Sequence, residues 1–282
     1  MNERRGPNSS EKALVECVDF LRSRIGGKIK VAVILGSGLG RLVDKASDRV
    51  DIDYNEIPHF IRPTVPGHSG KLVSGILGGI RVVFLQGRVH YYETRNESRV
   101  TFPIRSLSRL GIEILIVTNA AGGLRKTFSP GDIMLIRDHI NLMGVSPLRG
   151  SSGRDAFVDM SDAYSAELRR IAREVALSCG IELKSGVLAG LPGPSYETPS
   201  EVRFMARVGG DAACMSTIPE VIEARGLGIK VLGFSCITNL ATGISSEKLT
   251  HEEVEAVGSV AADKLGNLIE GVLKRIGGDG RA

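Results

Sequence analysis

The sequence predicts a single α/β domain, a mixed central β-sheet flanked by helices, spanning residues 1–282. Three observations carry this. Apolar strand-like runs alternate with helical patterns along most of the chain, as a layered α/β domain requires. Two strand-like runs, Lys71 to Leu77 and Ile80 to Leu85, are joined by Gly78-Gly79, a hairpin signal that argues against an all-parallel sheet. No repeat, low-complexity tract or linker divides the chain, whose length allows one large domain or two small ones.

The elements follow in order. Leu14, Cys17, Val18, Leu21 and Ile25 recur at helical spacing after Ser9 and Ser10, which predicts an amphipathic first helix. The β-branched run from Val31 to Leu35 then stops at Gly36-Ser37-Gly38-Leu39-Gly40. A strand ending in a glycine turn exposes backbone N–H groups, and the glycines let a ligand approach closely. Either this is an anion cradle, with the Ser37 hydroxyl added to the amides, or it is an ordinary turn. It is not the dinucleotide fingerprint, because the third glycine comes one residue early and Arg41 takes its place. After the hairpin come a helix over about Ser98 to Leu110 and a buried strand from Ile112 to Thr118. The small-residue stretch Asn119-Ala120-Ala121-Gly122-Gly123 reads as a second loop. A strand from Ile133 to Ile136 leads into Asp138-His139, and Ser146 to Ser161 reads as an excursion loop. A helix carrying Leu168, Ile171, Ala172, Val175 and Ala176 ends at Gly180. Three late helices open with Thr198-x-x-Glu201, Thr217-x-x-Glu220 and Thr250-x-x-Glu253, each the signature of a capping box. A buried strand from Val231 to Ile237 ends in Thr238-Asn239.

Composition bounds the function. With 42% hydrophobic and 24% charged residues, the chain has ordinary globular proportions. A formal charge of +4 without a dense Lys/Arg block argues against nucleic acid as a partner. Cys17, Cys179, Cys214 and Cys236 form no C-x-x-C pair and sit among apolar neighbours, so they read as buried thiols of a reducing compartment. The stretch Met1 to Lys12 has no apolar signal core, and no apolar run approaches the roughly 18 residues of a membrane span. The expectation is a soluble cytoplasmic protein without a membrane partner.

Several polar residues stand where strands end. Arg88 and His90 are two apart, so an extended chain projects both to one side. Arginine offers a forked donor to phosphate oxygens and histidine a second one. The alternative is an exposed arginine beside a surface histidine. Tyr92 continues the row and suits a sugar. His68 lies in the loop Pro66-Gly67-His68-Ser69-Gly70, where a bland role is equally open. Glu197 follows the rigid stretch Gly193-Pro194-Ser195-Tyr196; it can accept N–H groups from a planar base or merely complement a helix N-terminus. Asn239 offers a donor and an acceptor together, or simply ends a strand. No metal-ligand spacing and no nucleophile triad is readable, so the expected chemistry uses held donors, with no metal and no cofactor.

Taken together these stretches resemble the trimeric purine nucleoside phosphorylases, relatives of the methylthioadenosine phosphorylases. The resemblance runs from Val31 to the last helix. It rests on Gly36-Ser37-Gly38-Leu39-Gly40, Pro66-Gly67-His68, Gly87 to Glu93, Thr118 to Gly123, Met160 to Tyr164, Gly193 to Thr198, Met215 to Val221 and Thr238-Asn239. It implies a nucleoside phosphorylase-like fold and phosphorolysis of purine ribonucleosides and 2′-deoxyribonucleosides to free base and (deoxy)ribose 1-phosphate. Inorganic phosphate is then a co-substrate. By the same resemblance, Ser37, His68, Arg88, His90, Ser216 and the Ala120 backbone hold phosphate. Tyr92, Met215 and His251 hold the ribose, and Tyr196, Glu197 and Asn239 the base. Phe157 is lent by a neighbour in a homotrimer. His90, Glu197 and Asn239 are the expected catalytic groups. Asn239 implies inosine and guanosine over adenosine; the alternative is a methylthioadenosine phosphorylase-like preference for 6-aminopurines. The chain departs from the family pattern at Cys214, Tyr196 and Leu240, and none of these removes a ligand. Rival classes are a nucleoside hydrolase, which would not need phosphate, and a non-catalytic nucleoside-binding protein.

Overall fold

A computed structural model describes residues 7–150, 157–244 and 251–278. The element order is α1 (Pro7–Arg24), β1 (Val31–Leu35), a 3₁₀ turn (Gly40–Lys45), β2 (Ser47–Asp53), β3 (Lys71–Leu77), β4 (Ile80–Gln86), α2 (Tyr91–Thr94), α3 (Glu97–Arg109), β5 (Ile114–Gly123), β6 (Ile133–Asn141), α4 (Ala166–Ser178), β7 (Leu183–Gly190), α5 (Pro199–Arg207), β8 (Ala212–Cys214), α6 (Ile218–Gly226), β9 (Lys230–Leu240) and α7 (His251–Gly278).

Among the described residues nine strands form one mixed sheet. β1 lies between β4 and β5, parallel to both. The β3–β4 hairpin is antiparallel, and β2 extends it. On the other side the sheet curls into a ring: β5 pairs β9, β9 pairs β6, β6 pairs β7, β7 pairs β8, and β8 returns to β5. Closure removes free edges from this half.

Strand β1 is buried along its whole length because both faces are covered. Ala32 and Ile34 pack with α1, α3 and α6, whereas Val31, Val33 and Leu35 pack with α4 and α7. This alternation is the period of two that a strand imposes. Each such buried aliphatic side chain contributes on the order of 1.5–3 kcal/mol, so β1 is firmly anchored beneath the loop that follows it.

Four expectations change. Asn119–Gly123 is strand, not loop, because its backbone pairs with both β8 and β9; ladder bonds on two sides override the poor strand propensity of Gly and Ala. β6 runs on through Asp138 and His139 for the same reason, paired with β7 to Asn141. Cys179 is exposed, since α4 ends at Ser178 and the chain turns outward through Gly180 at φ 64. The Thr217 capping box does not form, whereas that of Thr198 and Glu201 does. Thr250 lies outside the described residues. No helix among those described is long and apolar enough to cross a membrane.

Candidate active site

A cleft of about 720 Å³ opens where β1, β4, β5, β8 and β9 end. It is lined by Ser37, His68, Arg88, His90, Tyr92, Ala120, Tyr196, Glu197, Met215, Ser216 and Asn239. Eleven of the thirteen residues singled out in the sequence therefore converge on one space. Phe157 is 90% exposed and does not line it. The side chain of His251 lies outside the described residues.

At one end of the cleft two glycines allow close backbone approach. A Cβ on Gly36 would sit 2.9 Å from the Cα of Asn119, so β1 touches β5 directly there. A Cβ on Gly87 would lie 2.6 Å from that of His68, at a φ of +101 that favours glycine. The Gly36 amide does not face the cleft as the turn suggested; it donates to Thr118 Oγ1 at 3.0 Å. The loop still brings the Ser37 hydroxyl to the cleft.

That hydroxyl is oriented by His68. The Arg88 amide donates to His68 Nδ1 at 2.8 Å, so the neutral ring carries its proton on Nε2. Nε2 lies 2.9 Å from Ser37 Oγ and donates to it. Ser37 is left with its own O–H to give.

Arg88 is buried with Glu220, their side chains 5% and 3% exposed and Nε 2.8 Å from Oε1. Its Nη1 donates to Thr118 O at 2.8 Å, Ser216 Oγ at 3.2 Å and Thr217 Oγ1 at 3.3 Å. Its Nη2 is buried without a protein hydrogen-bond partner. A buried guanidinium N–H left unpaired is costly unless a ligand completes it.

His90 caps α2 and stacks on Tyr92, with ring centroids 4.8 Å apart. Glu93 accepts from the His90 amide at 2.6 Å and pairs with its Nδ1 at 3.0 Å. Its other oxygen accepts from the Thr64 amide and hydroxyl, both at 2.7 Å. Glu93 thus clamps the loop that carries Val65 and His68 against α2. Burial alone would push its carboxyl up, but the donors from His90 and Thr64 outweigh it and hold it at about 2. A carboxyl depressed below its unfolded value contributes stability above about pH 4.5 that is lost as pH falls toward 2. Glu93→Gln is therefore expected to lower the thermal midpoint at neutral pH. The gap to the parent should close between pH 5 and pH 2 in melts followed by circular dichroism; a constant gap would show that the carboxylate charge contributes nothing.

The far end suits a planar base. Thr238 Oγ1 donates to Asn239 Oδ1 at 2.9 Å, and Asn239 Nδ2 donates to Leu240 O at 3.2 Å. These bonds fix the amide and leave one N–H and one lone pair for a ligand. Burial pushes the Glu197 carboxyl up, and Glu201 adds to this. Tyr92 is pushed up to about 12 by burial first, with Glu93 and Tyr196 behind it, so its phenol stays a neutral donor.

The family model described as the phosphorylase superfamily matches residues 30–274. Purine nucleoside phosphorylase 1 of Geobacillus stearothermophilus is 49% identical over 90% of this chain and 94% of its own length. The chain belongs to the purine nucleoside phosphorylases. The Bos taurus purine nucleoside phosphorylase is also 49% identical, over 87% of this chain and 89% of its own. A Schistosoma purine nucleoside phosphorylase solved in complex with hypoxanthine superposes with a TM-score of 0.87 at 36% identity, covering 94% of this chain and 97% of that one.

For a purine nucleoside phosphorylase, the sequence reading missed three groups at the arginine end. Thr217 and Glu220 were hidden because Thr-x-x-Glu reads as a helix cap. Asn119, whose Nδ2 donates to Thr217 Oγ1 at 3.0 Å, was hidden inside a stretch read as a loop.

Proposed function

We propose that the cleft binds inorganic phosphate at Ser37, His68, Arg88, His90, Ser216 and the Ala120 backbone, with a purine nucleoside beside it. Phosphate attacks C1′ of the nucleoside, giving free base and ribose or 2-deoxyribose 1-phosphate. The observation that carries this reading is the arginine end itself. A buried guanidinium with an unsatisfied N–H lines the same cleft as a serine whose hydroxyl accepts from His68 and keeps its own proton to donate. Such a set recognises an acceptor-only anion.

The glycosidic bond stretches first, and the sugar gains cationic character at C1′. Phosphate beneath it stabilises that charge and then bonds the carbon, while the bonding pair leaves with the purine, and the proton that hydrogen phosphate gives up on becoming an ester ends on a purine nitrogen. Tyr92, Met215 and His251 position the ribose. Asn239 and Glu197 meet the base, where negative charge grows. Hydrogen bonds to a charged group contribute on the order of 1.5–3 kcal/mol each, and fixed orientation adds to them. The amide of Asn239 favours the 6-oxopurines inosine and guanosine. No cofactor takes part. Phe157, 90% exposed and outside its own cleft, is lent to a neighbouring site in a homotrimer that works in the cytoplasm.

The test is release of base from inosine, guanosine and adenosine, each with and without phosphate. Inosine and guanosine should be cleaved only when phosphate is added, and faster than adenosine. Equal release in phosphate-free buffer would make the protein a hydrolase.

A further inference from the structure

The stretch Ser216-Thr217-Ile218-Pro219-Glu220 reads as a capped helix start, yet neither Thr217 nor Glu220 caps α6. Thr217 sits at φ 70 and ψ −49, and the Ile218 amide closes onto Ser216 O at 2.7 Å. This is a γ-turn, a strained arrangement, and for a β-branched residue the positive φ is an outlier. Strain of this kind persists where the surroundings over-determine it, and it clusters at functional sites.

The surroundings are specific. Thr217 is fully buried and does not line the cleft. Its Oγ1 accepts from Asn119 Nδ2 at 3.0 Å and from Arg88 Nη1 at 3.3 Å. A hydroxyl has two acceptor sites and one proton. Arg88 Nη1 gives one hydrogen to Thr118 O and shares the other between the two hydroxyls, and with Asn119 already donating to Thr217 Oγ1 the arrangement that uses every proton has Thr217 donate to Ser216 Oγ, 3.1 Å away. Ser216 Oγ also accepts the shared hydrogen of Arg88 Nη1 at 3.2 Å. The Ser216 proton is then left to be given to whatever occupies the cleft. On the opposite edge of the guanidinium, Glu220 holds Nε.

We propose that Thr217 is a positioning residue for the anion end of the cleft: it sets the donor direction of Ser216 and the orientation of Arg88, with Glu220 bracing the guanidinium from behind. The inference rests on the phosphate reading above. It assigns a reason to the strained turn: the γ-turn is what brings Thr217 Oγ1 between Asn119, Arg88 and Ser216.

The experiment measures phosphate KM at saturating inosine, inosine KM at saturating phosphate, and binding of inorganic phosphate alone by calorimetry. Thr217→Val keeps the shape and the β-branch and removes only the hydroxyl. It is expected to raise phosphate KM about 10- to 100-fold, the loss of one or two bonds to charged groups, with inosine KM within about threefold. Thr217→Ser is expected to bring phosphate KM back to within about threefold of the parent. Glu220→Gln, which keeps the shape but removes the charge paired with Nε, is expected to raise phosphate KM by about threefold or more. Should Thr217→Val fold poorly, Thr217→Gly, which relieves the φ constraint and also lacks the hydroxyl, is expected to show the same selective loss of phosphate. Equal shifts in both KM values, no shift, or a serine variant no better than valine would overturn the proposal. Arg88→Ala separates the two levels. If it leaves phosphate KM unmoved, the phosphate reading itself fails. If it raises phosphate KM while Thr217→Val does not, only the positioning role fails.

Discussion

Arg88→Ala is expected to raise the KM for phosphate by about a hundredfold or more while changing the KM for inosine only a few-fold. The side chain supplies every N–H that the buried end of the cleft can offer from a cation, and a bond to an anion is worth on the order of 1.5–3 kcal/mol. Two such bonds lost together give that hundredfold. The substitution also strands Glu220, whose side chain is 3% exposed. Removing one partner of a buried pair costs on the order of 3–5 kcal/mol of stability, so the thermal midpoint should fall too. The two effects can be separated. Replacing both partners, Arg88→Met with Glu220→Leu, removes the uncompensated charge and is expected to recover much of the midpoint without recovering phosphate. Steady-state kinetics with each substrate varied in turn, together with calorimetric melts, checks both statements. Equal changes in the two KM values would take Arg88 out of the phosphate site.

Asn239→Asp is expected to move the ratio of kcat/KM for adenosine over inosine upward by about one to two orders of magnitude. A site that hydrogen-bonds its substrate discriminates strongly, because a mismatched partner leaves a buried polar group unpaired. Asparagine can donate to a carbonyl oxygen at position 6; an aspartate can only accept, and so suits an amino group there. In the parent the amide is held by donation to Leu240 O at 3.2 Å. An aspartate oxygen facing that carbonyl is repelled and turns toward the base. Rates for both nucleosides at fixed phosphate decide the matter, and an unchanged ratio would remove Asn239 from base recognition.

What the sequence made legible follows from where information is local. The hairpin at Gly78-Gly79 and the apolar run of β1 are set by neighbours in the chain, and both appear as read. Arg88 and His90 could be grouped because they follow one strand in extended chain; Tyr92, expected to continue that row, instead sits in α2 and joins them by stacking on His90, while Glu197 could be placed because prolines fix its approach. β2 was not legible: its alternation of charged residues with Val50 and Ile52 describes a strand open to solvent on one face, and only pairing with β3 reveals it. The role of Glu220 was hidden for a different reason. Its partner Arg88 is far away in sequence, and an acid in the first turn of a helix already has a sufficient local explanation. Residues whose local signature is satisfied by a common motif are the ones whose distant partner goes unread.

The register of β5 against β9 has a consequence of its own. Ala120 lies opposite Cys236 and Gly122 opposite Asn239, with a shift between Ala121 and Gly122. Ala120 and Asn239, proposed for the phosphate and base ends, thus hang from adjacent strands about 4.8 Å apart. The separation of these two is a property of the backbone ladder, whereas Ser37, His68 and Glu197 stand on loops. Side-chain exchange at these two positions would alter which heterocycle or which oxyanion is read, while the strand spacing beneath them stays as the ladder sets it.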